Sequence, residues 1–122
     1  MKTKPTLVIV DDSKVARMMI YAIVSNQFPD WTVLEAGSGD EALSLAEKSA
    51  VDYLSIDFNM PGMDGAELMG KINAKYPNTK MVLMTANVQD AILMKVRALG
   101  AIAIAKPITE QSVKQMLEYF NE

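Results

Sequence analysis

Leu7-Val8-Ile9-Val10-Asp11-Asp12 sets four consecutive apolar residues, three of them β-branched strand formers, directly against two carboxylates. An unbroken apolar run of this length reads as a strand buried on both faces, and the polar residues after it then stand at the strand's C-terminal end. The arrangement recurs along the chain. Further runs cover Thr32–Ala36, Tyr53–Ile56, Met81–Met84 and Ile102–Ala105, and three of them end in a polar residue that could carry chemistry: Asp57, Thr85 and Lys106. Each interval between runs is long enough for one helix, so strands and helices alternate and the crossovers are right-handed. The expected fold is α/β, a three-layer doubly wound (βα)5 arrangement with a parallel sheet covered on both faces.

Helical periodicity supports the intervening elements. Val15, Met18, Met19, Ala22 and Ile23 fall at i, i+3, i+4, i+7 and i+8, and are expected to form the buried stripe of the first helix. Val113, Met116, Leu117 and Phe120 repeat the pattern in the last. Ser38 with Glu41, and Asp64 with Glu67, are spaced as capping pairs that open the second and third helices. In the 88–99 segment Val88, Ile92, Leu93, Met94, Val96 and Leu99 cannot all face the sheet at 100° per residue, so part of that helix is expected to offer apolar surface to a partner. Met18, Met19, Met81 and Met84 are expected as core filler, and Trp31 as packing near the start of the second strand.

Composition removes several functions. The 122 residues fit one domain, and with half of them apolar the chain can bury a core unaided. Neither cysteine nor histidine occurs, which excludes disulfides, thiolate or imidazole zinc sites and serine–histidine catalysis by this sequence alone. The net charge of −3 argues against a nucleic-acid partner. The apolar run after Met1-Lys2-Thr3-Lys4-Pro5 is too short for a signal peptide or a membrane span, so no membrane partner and a cytoplasmic location are expected.

Three carboxylates gathered at one sheet edge repel one another, and a divalent cation relieves that repulsion. With oxygen ligands the ion is hard, and magnesium suits a small cluster that retains waters and binds phosphate. The plain alternative is that Asp11 or Asp12 caps the first helix and Asp57 a turn. The addition of Thr85 and Lys106 at two further strand ends favours a functional pocket.

Asp11-Asp12, the segment Asp57-Phe58-Asn59-Met60-Pro61-Gly62-Met63-Asp64-Gly65, Thr85 and Lys106-Pro107 together resemble the receiver domain of two-component response regulators, over essentially the whole chain. The resemblance implies a flavodoxin-like fold with five parallel strands in the order 2-1-3-4-5. It implies that Asp57 accepts a phosphoryl group from a histidine kinase or histidine phosphotransfer protein. Asp11, Asp12, Asp57 and the main-chain carbonyl of Asn59 would hold Mg2+, Thr85 would bond the phosphoryl group, and Lys106, before a cis proline bond, would pair with it. Asn59 and Asn87 occupy positions that tune hydrolysis in that family. The last stripe position, Phe120, lies two residues from the end, so the expectation is a single receiver domain over 1–122 with no output domain, monomeric or weakly dimeric, as in CheY-like proteins. Such a protein is a phosphoacceptor switch and not a turnover enzyme.

The sequence departs from the family at Ala103, where an aromatic ring is usual, so a paired threonine–aromatic switch is not available. A phosphorylation-independent pseudo-receiver is the first alternative. A haloacid-dehalogenase-type phosphatase is disfavoured by Asn59, which stands where those enzymes carry a second aspartate. A flavodoxin-like cofactor binder is disfavoured by carboxylates at the first loop, which would repel a flavin phosphate.

Overall fold

The computed structural model describes residues 4–86 and 89–122; Asn87 and Val88, both singled out above, lie outside the described residues. Strands β1 (Thr6–Val10), β2 (Thr32–Ala36), β3 (Tyr53–Asp57), β4 (Lys80–Thr85) and β5 (Ile102–Ala105) alternate with helices α1 (Lys14–Gln27), α2 (Gly39–Lys48), α3 (Gly65–Lys75), α4 (Asp90–Ala98) and α5 (Glu110–Phe120). All neighbouring strands are parallel, in the order β2-β1-β3-β4-β5, which is the expected flavodoxin-like fold.

Side chains alternate across each strand, so the apolar runs divide between two cores. Val8, Val10, Leu54, Ile56, Met81 and Leu83 pack with residues of α2, α3 and α4. Leu7, Ile9, Val82, Met84 and Ile104 pack with Ile20 and Val24 of α1 and Val113, Met116, Leu117 and Phe120 of α5. Each fully buried apolar side chain of this size contributes roughly 1.5–3 kcal/mol. At the N-terminal end of the sheet the rings of Phe28 and Trp31 stack at 4.6 Å, as do Tyr53 and Phe120. Trp31 is therefore a packing residue, as expected.

The first helix departs from expectation. Val15, Met18 and Met19 are 67%, 56% and 44% exposed, Ala22 is exposed and Ile23 half-buried. The face turned inward runs through Arg17, Ile20 and Val24, also at i, i+3 and i+7. The helix is apolar on two faces, and periodicity cannot rank them. An arginine heads the inner one, which hides it from a search for apolar stripes. Met81 and Met84 are buried as expected, whereas Met18 and Met19 are not core.

Helix starts follow local chemistry. Ser38 Oγ accepts from Glu41 N at 3.2 Å, but Glu41 returns its bond to Gly37 N, one residue earlier than a reciprocal box requires. Asp64 Oδ1 caps Glu67 N at 2.9 Å, while Glu67 turns to Lys71. The full reciprocal box is at Thr109 and Ser112, with bonds of 3.0 and 2.8 Å. In α4, Val96 is buried, Ile92, Leu93 and Leu99 are half-buried, and Met94 is 70% exposed, so the helix does leave apolar surface outside.

The two faces of α1 differ in what they hold together. Ile20→Ala should cost about 3 kcal/mol in urea unfolding, and Met18→Gln should stay within about 0.5 kcal/mol of the parent. Equal losses in both variants would contradict the assignment of the inner face.

Candidate functional site

Strand register assembles the site. Val10 of β1 is level with Ile56 of β3, so the next residues, Asp11 and Asp57, emerge side by side from adjacent strands. Asp57 is level with Met84, which puts Thr85 one step further out on β4. Thr85 is level with Ala105, and Lys106 follows at the same edge, its amide bonded to Thr85 O at 2.9 Å. The crevice lies where strand order reverses about β1, the position at which open parallel sheets present their C-terminal ends to ligands.

Burial then raises the electrostatic stakes. Asp11 and Asp57 are 3% and 5% exposed and Thr85 is buried, while Asp12 is exposed. Carboxylate oxygens of Asp11, Asp12 and Asp57 lie within 4.8 Å of one another. Lys106 Nζ stands 2.8 Å from Asp57 Oδ1 and 4.0 Å from Asp11 Oδ2, and the Lys106–Pro107 bond is cis. The short contact is an ion pair without hydrogen-bond alignment. Asp57 Oδ1, although buried, therefore has no hydrogen-bond partner. One ammonium faces three carboxylates, so negative charge is in surplus.

Burial pushes the Asp11 carboxyl above its ordinary value. The Ser13 amide bonded to Oδ1 at 2.9 Å works against that shift, the neighbouring Asp57 and Asp12 charges add to it, and Lys106 partly offsets it. A cluster of all-oxygen ligands with surplus negative charge fits a hard divalent cation. Asn59, two residues beyond Asp57, is exposed on the adjoining loop.

The loop carrying Asn59 is seated by Gly65. A methyl group there would lie 2.5 Å from Asp57 O, 2.8 Å from Leu83 Cδ1 and 2.9 Å from Phe58 Cα, so α3 can start against β3 only if the residue has no side chain. Gly65 N also donates to Phe58 O at 2.9 Å. Turn chemistry explains Gly62, whose φ is +77°, but close backbone approach explains Gly65.

Sequence reasoning passed over Arg17. Its Nη1 donates to Asp11 O at 2.6 Å and its Nε to Glu35 Oε1 at 3.0 Å. No helical or strand period links positions 17 and 35; the packing of α1 beside β2 does. A separate groove lined by Val51, Leu54, Ile72 and Tyr76 lies at the opposite end of the sheet and includes none of Asp11, Asp12 and Asp57.

Two outcomes follow from this geometry. Gly65→Ala should destabilise the protein by about 2 kcal/mol in urea unfolding, since the atoms it would meet are mostly backbone; an unchanged midpoint would contradict the close approach. Because Asp11 holds its proton more tightly folded than unfolded, the folded state binds more protons, and stability falls as pH rises. The Asp11 contribution is therefore a penalty complete above its folded pKa and relieved as pH falls through it. In chelator, Asp11→Asn should be more stable than the parent at neutral pH, with the difference shrinking on acidification. A parent more stable than Asp11→Asn at neutral pH would contradict that sign.

Comparison with known proteins agrees with the geometry. Residues 7–118 match the family model described as the response regulator receiver domain. The chain is 35% identical over 114 residues to the chemotaxis protein CheY of Listeria monocytogenes, covering 92% of this chain and 94% of that one. It is 36% identical over 116 residues to the CheY homolog of Campylobacter jejuni, covering 92% and 88%. The solved structure of chemotaxis protein CheY4 from Vibrio cholerae superposes with a TM-score of 0.87 at 26% identity, covering 97% of this chain and 99% of that one. With its acidic crevice and its fold, the chain belongs to the response regulator receiver domain family and is CheY-like, a phosphoacceptor and not a classical enzyme.

Proposed function

We propose that Asp57 takes up a phosphoryl group from the phosphohistidine of a kinase or phosphotransfer protein, in a reaction that requires Mg2+, and that the phosphorylated chain then binds a protein target with altered affinity. The observation that carries this reading is the placement of Asp57: its carboxylate is buried, paired with the Lys106 ammonium at 2.8 Å, and clustered with the carboxylates of Asp11 and Asp12. An Asp57 carboxylate oxygen bonds to phosphorus as the phosphorus–nitrogen bond of the donor breaks, and the electron pair leaves with the imidazole. The histidine must come from the partner, because this sequence contains none.

Asp11, Asp12, Asp57 and the Asn59 carbonyl would hold the ion, which supplies positive charge to the phosphoryl oxygens during transfer. Lys106, a point charge on a flexible stem, can leave the carboxylate for a phosphoryl oxygen. Thr85 sits one residue beyond the level of Asp57, where its hydroxyl can donate to the same group. These residues position and neutralise; none is needed as a general base.

Partner surfaces flank the pocket. Exposed Val15, Met18 and Met19 lie on the helix that begins just after Asp12, and give the donor an apolar landing beside Asp57. Thr85 continues the strand face of Met81 and Leu83, the face that packs with Ala103, Ile92 and Leu99. With alanine at 103 there is no ring to follow the hydroxyl inward, so a shift of Thr85 reaches the target through α4 and its exposed Met94.

Incubation with acetyl phosphate followed by intact-mass spectrometry tests the reading. A phosphoryl adduct should form with Mg2+, be absent in chelator, and be lost in Asp57→Ala. An adduct that persists in Asp57→Ala would move the acceptor elsewhere. No adduct in the parent at any time point would favour a pseudo-receiver that signals by binding alone.

A further inference from the structure

Arg17 reaches the acidic edge without joining the carboxylate cluster. Asp11 lies one residue past the end of β1, where the strand ladder has stopped at Val10. The sheet still holds Asp11 by its amide, which donates to Ala36 O at 3.0 Å. Its carbonyl has left the ladder and accepts instead from Arg17 Nη1 at 2.6 Å. Two fixed points on one residue's main chain set the direction of its Cα–Cβ bond. The Ser13 amide then fixes the rotation of the carboxylate through Oδ1, leaving Oδ2 on the Lys106 side.

The guanidinium is itself restrained. Its Nε bonds Glu35 Oε1 at 3.0 Å, and the arginine side chain is 17% exposed against 37% for the glutamate. A planar fork can serve a carbonyl on one side and a carboxylate on another at the same time, whereas an ammonium offers one nitrogen for both. Arginine suits the position because the two acceptors come from different strands' ends.

We propose that Arg17, held by Glu35, is a positioning residue for the divalent cation: it fixes the Asp11 main chain so that the Asp11 carboxylate is presented to the ion. The inference rests on the magnesium-dependent reading above, and it makes a prediction opposite in sign to simple electrostatics. A cation near a metal site opposes the metal, so by charge alone removing Arg17 should tighten Mg2+ binding, all the more with Glu35 left unpaired. If the arginine acts by orienting a ligand, removing it should weaken binding instead. Groups that orient metal ligands from outside are typically worth tenfold or more in affinity.

Isothermal titration calorimetry with Mg2+ on the parent, Arg17→Met and Arg17→Lys separates the two, with urea unfolding followed through Trp31 as the check on folding. Arg17→Met keeps an unbranched stem at this mostly buried position but loses both charge and donors, and should bind Mg2+ about tenfold more weakly. Arg17→Lys keeps the charge without the fork, and should also bind several-fold more weakly. Parental or tighter affinity in a folded Arg17→Met overturns the proposal while leaving the phosphoacceptor reading intact. If Arg17→Met does not fold, Arg17→Lys decides: weakened binding supports the proposal and parental affinity overturns it. A parent that binds no Mg2+ removes the metal-dependent reading and this proposal with it.

Discussion

Two carboxylates buried side by side at the ends of β1 and β3, with a third beside them, set the terms for everything around them. Burial disfavours the ionised form of Asp11 most, and the neighbouring anions add to it, so its carboxyl is pushed above the ordinary value. Lys106 answers part of that charge, at 2.8 Å from Asp57 and 4.0 Å from Asp11. What it leaves, a surplus of negative charge across three carboxylates, is what a divalent cation and then a phosphoryl group can use. The pocket is poised because it is incompletely neutralised.

Such a cluster persists only if the chain cannot move apart to relieve it. Register supplies that rigidity: β1, β3, β4 and β5 are hydrogen-bonded in sequence up to the residues that carry the chemistry, and their apolar bodies are locked into two cores. Gly65 brings α3 against the back of Asp57, and Arg17 ties the residue beyond β1 to the β2 strand through Glu35. Stability and function thus use the same elements. The sheet is rigid at the acidic edge, and apolar surface is left outside on α1 and α4.

Much of this was legible in the chain because its signals are local. An apolar run ending in Asp, Thr or Lys needs no partner to be recognised, and the five runs matched the five strands to within two residues, with Asp57 and Thr85 becoming the last residues of their own strands. The inner face of α1 was misread for a definite reason: Val15, Met18, Met19 and Ala22 satisfy helical spacing as well as Arg17, Ile20 and Val24 do, and only the packed sheet chooses between them. Arg17 escaped notice for a related one. Its acceptors are a main-chain oxygen and a glutamate eighteen positions away, and neither leaves a mark on residue spacing. The capping box at Thr109 and Ser112 was overlooked because serine, not glutamate, closes it.

The departure at Ala103 bears on signalling more than on chemistry, since it lies on the α4 face of β5 and not in the acidic crevice. In the proposed reaction a cation would complete the carboxylate cluster, and a phosphoryl group on Asp57 would then draw Lys106 away from the carboxylate. A crystal structure of the protein with Mg2+ and beryllofluoride tests it most directly. The account predicts the ion among Asp11, Asp12 and Asp57, beryllofluoride on Asp57, and Lys106 Nζ moved from the carboxylate to a fluorine. Beryllofluoride bound with no cation in the cluster, or with Lys106 still paired to Asp57, would contradict it.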